Sequence, residues 1–143
     1  MIAHVKGSPG RLIVGRLPHD GDLLSSIRQL AEENGVKAAV FWVIGAVKRA
    51  RVTFYSQAEK AYRTAEFNMP LEILSCIGNI GQLKGETAVH AHLVLGDEKG
   101  AAYGGHLEKG TIIFSAEIFL LEVEDATLTR EYDEVTGLNL FKL

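Results

Sequence analysis

The chain has 143 residues, the length of one ordinary domain and enough to bury a single core. Hydrophobic residues make up 47% of it and charged residues 23%, which excludes a disordered chain, a collagen-like repeat and a disulfide scaffold. With 15 Lys plus Arg against 18 Asp plus Glu, the formal charge of −3 repels a polyanion rather than gathering one, so net charge gives nucleic-acid binding no support. The single cysteine, Cys76, cannot close an intramolecular disulfide and points to a reducing compartment, the cytoplasm. No basic stretch runs into an apolar segment at the start, and the most apolar windows, Ala38 to Val47 and Thr111 to Leu121, fall well short of the roughly 20 residues of a membrane helix. No repeat, low-complexity tract or linker divides the chain. One cytoplasmic domain spanning 1–143, with no membrane segment, is the expectation.

Arg11 to Leu17 is short and aliphatic, and the turn cluster Pro18-His19-Asp20-Gly21 follows it, so it reads as a strand and a stop. Asp22 is placed to cap a helix whose Leu23, Leu24, Ile27, Leu30 and Ala31 form one stripe, ending near Asn34-Gly35. Ala38 to Val47 is apolar at every position, which predicts a strand covered on both faces, with Gly45 marking a bulge or bend. Arg51 to Ser56 reads as a second strand, and the polar stretch Gln57 to Glu66 as a connecting loop. Leu71 to Gly78, Glu86 to Leu95, Ala101 to His106, Thr111 to Val123 and Thr127 to Tyr132 read as further strands joined by short turns. Many strands and one convincing helix predict an α+β domain with a curled, mainly antiparallel sheet. One helix cannot cover two doubly apolar strands, so the pattern also predicts a homo-oligomer.

The chemical signal is Val89-His90-Ala91-His92-Leu93. Alternation along a strand puts Val89, Ala91, Leu93 and Leu95 on a core face and His90 and His92 together on the other, about 7 Å apart. A hairpin centred on Glu98 sets Leu95 opposite Ala101 and His90 opposite His106, which completes a triangle of three histidines. A slip of one residue would send His106 to the other face. Gly104 and Gly105, lacking side chains, leave room beside His92. Three neutral imidazoles suit zinc or another divalent transition metal (nickel, cobalt or iron) and leave a coordination position open. The same pattern also describes polar residues on a solvated sheet face, and spacing alone does not separate the two. His4 and His19 have no ligand-like spacing.

Glu117 interrupts an apolar run and, if buried, needs a partner. It is a candidate general base or acceptor for a ligand imidazole, and Glu72 poses the same question, against an interface or edge role for both. Ser75 and Cys76 lack a nucleophile signature, and the glycines match no phosphate-binding or dinucleotide fingerprint.

Taken in order, Pro70 to Ile80, His90-Ala91-His92-Leu93, Gly104-Gly105-His106-Leu107, and Arg130 with Asp133 and Thr136-Gly137-Leu138 resemble the pattern of the PPC domain, the plants and prokaryotes conserved domain. The resemblance covers about Arg11 to Leu140. It implies an α+β domain that assembles as a homotrimer, with His90, His92 and His106 as the histidine cluster that holds a metal, zinc above all, in some prokaryotic members. Plant members carry a basic AT-hook that enters the DNA minor groove. This chain has no such segment and no basic run beyond Lys48-Arg49-Ala50-Arg51, so the family's DNA-binding label does not transfer with the fold.

Two readings stand at this point. One is a zinc-containing trimeric binding or regulatory module for a protein or small-molecule partner. The other is a small metal-dependent enzyme, of hydrolase or lyase type, in which Glu117 or Glu72 handles the proton of a zinc-bound water. DNA association through three pooled copies of the Lys48 to Arg51 turn is a weaker third.

Overall fold

The computed structural model describes residues 2–143; Met1 lies outside them. β1 (Ser8–Leu17) leads through the Pro18–Gly21 turn into α1 (Leu23–Glu33). Asp22 caps the helix as expected, its carboxylate accepting from Ser25 N at 2.9 Å. Leu23, Ser26, Ile27 and Ala31 form the buried stripe of α1, which packs chiefly on the fifth strand and lightly on β1.

The strand that opens with the apolar run after the helix does not end at Val47. It continues through Lys48 to Arg51 as β2 (Ala39–Ser56), one strand of 18 residues in place of the two read from sequence. Its first half pairs antiparallel with β7 (Ile112–Glu124) on one side and β4 (Leu71–Leu83) on the other, and its second half pairs with β3 (Ala61–Phe67) and β6 (Ala102–Leu107). The stretch read as a loop is largely β3 (Ala61–Phe67), the returning arm of a tight hairpin. Its outward residues on an edge strand are polar, and that hid the strand.

β4 (Leu71–Leu83), β5 (Glu86–Gly96) and β6 (Ala102–Leu107) follow as a meander. Because β6 pairs with β2 at Val52–Leu107 and Thr53–His106 while β4 pairs with the start of β2, the strands β2, β4, β5 and β6 close a ring. β7 (Ile112–Glu124) and β1 extend the sheet from β2. β8 (Thr129–Asp133) joins the end of β4 in parallel, and β9 (Leu138–Phe141), a strand the sequence does not reveal, pairs back on β8.

The inner face of this curled sheet and α1 bury one core that includes Phe41, Val43, Ile80, Leu93, Leu107, Ile118 and Leu120. Three strands switch the parity of their buried residues at neighbouring positions: Val47 to Ala50 in β2, Ile73 to Cys76 in β4, Ile113 to Ala116 in β7. Each switch lies beside a register shift, and a bulge does this by inserting one unpaired residue while bending the strand.

The expectation that β2 and β7 are covered on both faces fails for the single chain. Cross-strand neighbours Val14, Phe119, Trp42 and Ile77 form an exposed apolar row across β1, β7, β2 and β4. Leu12 and Ile44 flank it, 61% and 53% exposed.

Candidate metal centre

Parity on β5 is as the sequence predicts: Ala91, Leu93 and Leu95 are buried, and His90 and His92 point away from the core. The hairpin after β5 corrects the expected register. Asp97 N donates to the Ala101 carbonyl at 3.0 Å, and the Asp97 carboxylate accepts from Lys99 N and Ala101 N, both at 2.9 Å. Gly100, at φ +80°, takes the left-handed position of a three-residue loop. The turn centre therefore lies one residue later, and His106 stands opposite His92 rather than His90. The displacement moves every partner by two positions, an even number, so His106 keeps its face.

The three rings converge. His90 and His92 bring their Nε2 atoms to 3.3 Å, and one ligand nitrogen from each of His90, His92 and His106 lies within 4.8 Å of the others. Ring centroids are 4.8 Å apart for His90 and His106, 5.1 Å for His90 and His92, and 5.7 Å for His92 and His106. Nitrogens bound tetrahedrally to zinc at about 2.0–2.1 Å sit roughly 3.3 Å apart, the spacing the first pair already has. Burial, reinforced by His106, Arg130 and His92, pushes the His90 pKa down to about 4. Burial also lowers that of His106, with Glu108 opposing. Both shifts favour the neutral imidazole, the form that metal ligation requires. Three nitrogen donors fit zinc and its borderline neighbours and leave the ion an open position for water or a ligand.

Two residues absent from the sequence-derived site surround it. Tyr62 of β3 stacks beside His106 at 5.7 Å and beside Tyr55 at 4.9 Å. Arg130 of β8 reaches in from the far end of the chain. Its Nη2 donates to Asn79 Oδ1 at 2.7 Å and lies 3.4 Å from His90 Nδ1. Its Nη1 donates to the Asn139 carbonyl at 2.8 Å, and its guanidinium lies over Phe141 at 4.2 Å. A separation of 3.4 Å is too long to hold the His90 tautomer. Tyr62 lay in the stretch read as a loop; its alternation with Thr64 and Glu66 opposite Tyr55, Thr53 and Arg51 was the available signal.

Glu72 and Glu117 do not join this cluster. Both are exposed, so neither is the buried carboxylate that the apolar run around Glu117 suggested. They line a separate cleft near Gly45, Glu117 opposite Arg16 across β1 and β7. In the basic run, Lys48 pairs with Asp20 at 2.6 Å and Arg51 with Glu66 at 3.5 Å. His4 contacts the Ile2 carbonyl, and His19 contacts the Phe114 carbonyl and ring and the Asp20 carboxylate, so neither joins the cluster. Cys76 is buried in the core.

A curled antiparallel sheet closed around β2, with one covering helix and an outward-facing triad of imidazoles, defines a class of small α+β proteins. The Plants and Prokaryotes Conserved (PCC, or PPC) domain model matches residues 4–124, and the chain belongs to that family. A metal-containing protein from Archaeoglobus fulgidus superposes with TM-score 0.94 at 35% identity, over 99% of this chain and 100% of that one. A plant- and prokaryote-conserved protein from Pyrococcus horikoshii gives 0.93 at 32%, over 99% and 98%. A protein from Ralstonia eutropha proposed to bind DNA gives 0.81 at 25%, over 91% and 90%. Among curated proteins, a bifunctional protein GlmU from a Synechococcus strain is 30% identical over 90% of this chain. The chain spans only about a fifth of the length of the curated relatives it matches (19%).

Proposed function

We propose that this protein is a metal-binding, homotrimeric PPC module acting as one domain in the cytoplasm, with zinc held by His90, His92 and His106. The observation that carries the reading is the convergence of three imidazoles, one nitrogen of each within 4.8 Å of the others, on a face away from the core. The metal-containing Archaeoglobus fulgidus relative supports it. A bound zinc ion would supply a Lewis-acidic point of attachment for a ligand. The exposed row Val14, Phe119, Trp42 and Ile77 supports assembly, because a contiguous apolar face is what an oligomer interface covers.

A catalytic role for the ion lacks the proton-handling carboxylate it was expected to use, since Glu72 and Glu117 lie in another cleft. Binding a small-molecule or protein partner is therefore the reading we favour over hydrolysis or lysis. DNA is not the partner proposed, although the Ralstonia neighbour is described in those terms: the net charge is −3 and two cations of the only basic run are paired with acids.

Metal content by plasma mass spectrometry, on untagged wild type beside His92→Ala, tests the proposal. Near one zinc per chain in wild type and almost none in the variant is the expected result. No metal in either, after zinc is offered and excess removed, overturns it.

A further inference from the structure

The histidines form one wall of a cavity of about 900 Å³, within the size range of small-molecule sites. The β2–β3 hairpin contributes Tyr55 and Tyr62, and the C-terminal hairpin contributes Arg130, Leu138 and Leu140. The two hairpins are tied together above it: Tyr55 Oη donates to the Thr136 carbonyl at 2.6 Å and Lys60 Nζ to the Glu134 carbonyl at 2.9 Å.

In a chain with 18 acidic residues, no Asp or Glu lines this cavity, while two arginines do. Arg130 makes no ion pair among the described residues. Its partners are the oxygens of Asn79 and Asn139 and, at 3.4 Å, His90 Nδ1, none of them an acid, and its Nε is buried with no partner among the described residues. Glu108, the acid felt at His106 and Tyr62, is held by the Thr53 hydroxyl at 3.3 Å outside the lining. A half-buried guanidinium left without a counter-charge, on an apolar wall, calls for an anion from outside.

We propose that the cavity binds an organic carboxylate with a planar or apolar body. Its carboxylate sits beside Arg130 at the rim of the imidazole triad, and its body lies against Tyr55, Tyr62, Leu138 and Leu140. The volume and the apolar wall exceed what an inorganic oxyanion fills. The inference deepens the metal reading, in which the ion gives the carboxylate a second anchor, but the Arg130 half stands without the ion.

Calorimetric titration of benzoate, benzamide and inorganic phosphate into zinc-loaded and chelator-treated protein tests it, with metal content measured separately. Benzoate is expected to bind saturably, with benzamide and phosphate each at least about tenfold weaker, roughly one charge-assisted contact. Arg130→Gln is expected to weaken benzoate by a similar factor at unchanged metal content and circular dichroism. Should no zinc bind, the metal reading fails, and Arg130-dependent preference for benzoate over benzamide in the metal-free protein still upholds the carboxylate site. Equal binding of benzoate and benzamide, phosphate binding as tightly as benzoate, or no benzoate binding across the millimolar range overturns it. The benzoate and benzamide comparison on wild type decides the matter even if the Arg130 variant misfolds.

Discussion

Gly78 shows how closely the site is fitted to the core at the level of single residues. A Cβ at that position would overlap both the Phe41 ring and the His90 carbonyl oxygen. Phe41 is fully buried and has nowhere to retreat, so Gly78→Ala is expected to lower stability by about 1–3 kcal/mol in urea titration. Cys76 lies in the same strand, 1% exposed, and burial pushes its thiol pKa up to about 12. It should react with a thiol reagent orders of magnitude more slowly in the native protein than in urea, because the thiolate is the reactive form. The histidines differ from both: half-buried or exposed, they lie beside one another without filling the core. Zinc at 100-fold its dissociation constant should stabilise wild type by about 2.7 kcal/mol. Differential scanning fluorimetry should show that increment as a rise in Tm, absent in His92→Ala. What the sequence made legible here was parity, which needs only alternation along β5; the register needed the turn, and the turn depended on where the Asp97 side chain placed its hydrogen bonds.

Among the secondary elements, α1 is the one whose boundaries are written locally. Asp22 closes it and Asn34-Gly35 ends it, Gly35 at φ +67°. Asp22 also does something no helix pattern reveals: its second oxygen accepts from Gly110 N at 2.7 Å, fastening the helix start to the turn before β7. Asp22→Ala should therefore cost more than an ordinary cap, about 2–3 kcal/mol for two hydrogen bonds lost at a partly buried carboxylate, measured by thermal denaturation. The strands were legible in proportion to their burial. β4, β5 and β7 carry aliphatic alternation, whereas β3 and β9 lie at edges with polar or sparse sequences and left no apolar period to read. β2 was divided because Lys48, Arg49 and Arg51 resemble a turn; in the structure Lys48 and Arg51 pair with acids instead, and the strand continues past them through a bulge.

For the molecule as a whole, the apolar run Ala38 to Val47 correctly signalled more hydrophobic surface than one chain covers. It did not show which side would stay open, because that depends on the bulges that set the parity of β2, β4 and β7. Trp42 sits in the middle of the open face, 43% exposed, between Phe119 and Ile77. If that face joins the proposed trimer, light scattering after size exclusion should report about three times the 15.6 kDa chain, and Trp42→Glu should report one.

The C-terminal hairpin meets the ring at only two paired positions, Gln82 with Thr129 and Leu83 with Arg130, helped by Gln82 N donating to the Leu128 carbonyl at 2.7 Å. The imidazoles, by contrast, ride on strands paired on both sides. Amide hydrogen exchange should consequently divide the site in two, with β8 and β9 exchanging through a local opening long before β5 and β6 lose protection. The guanidinium and the histidines thus belong to cooperative units of unequal depth, and the charge can leave and return while the ligand triad stays assembled.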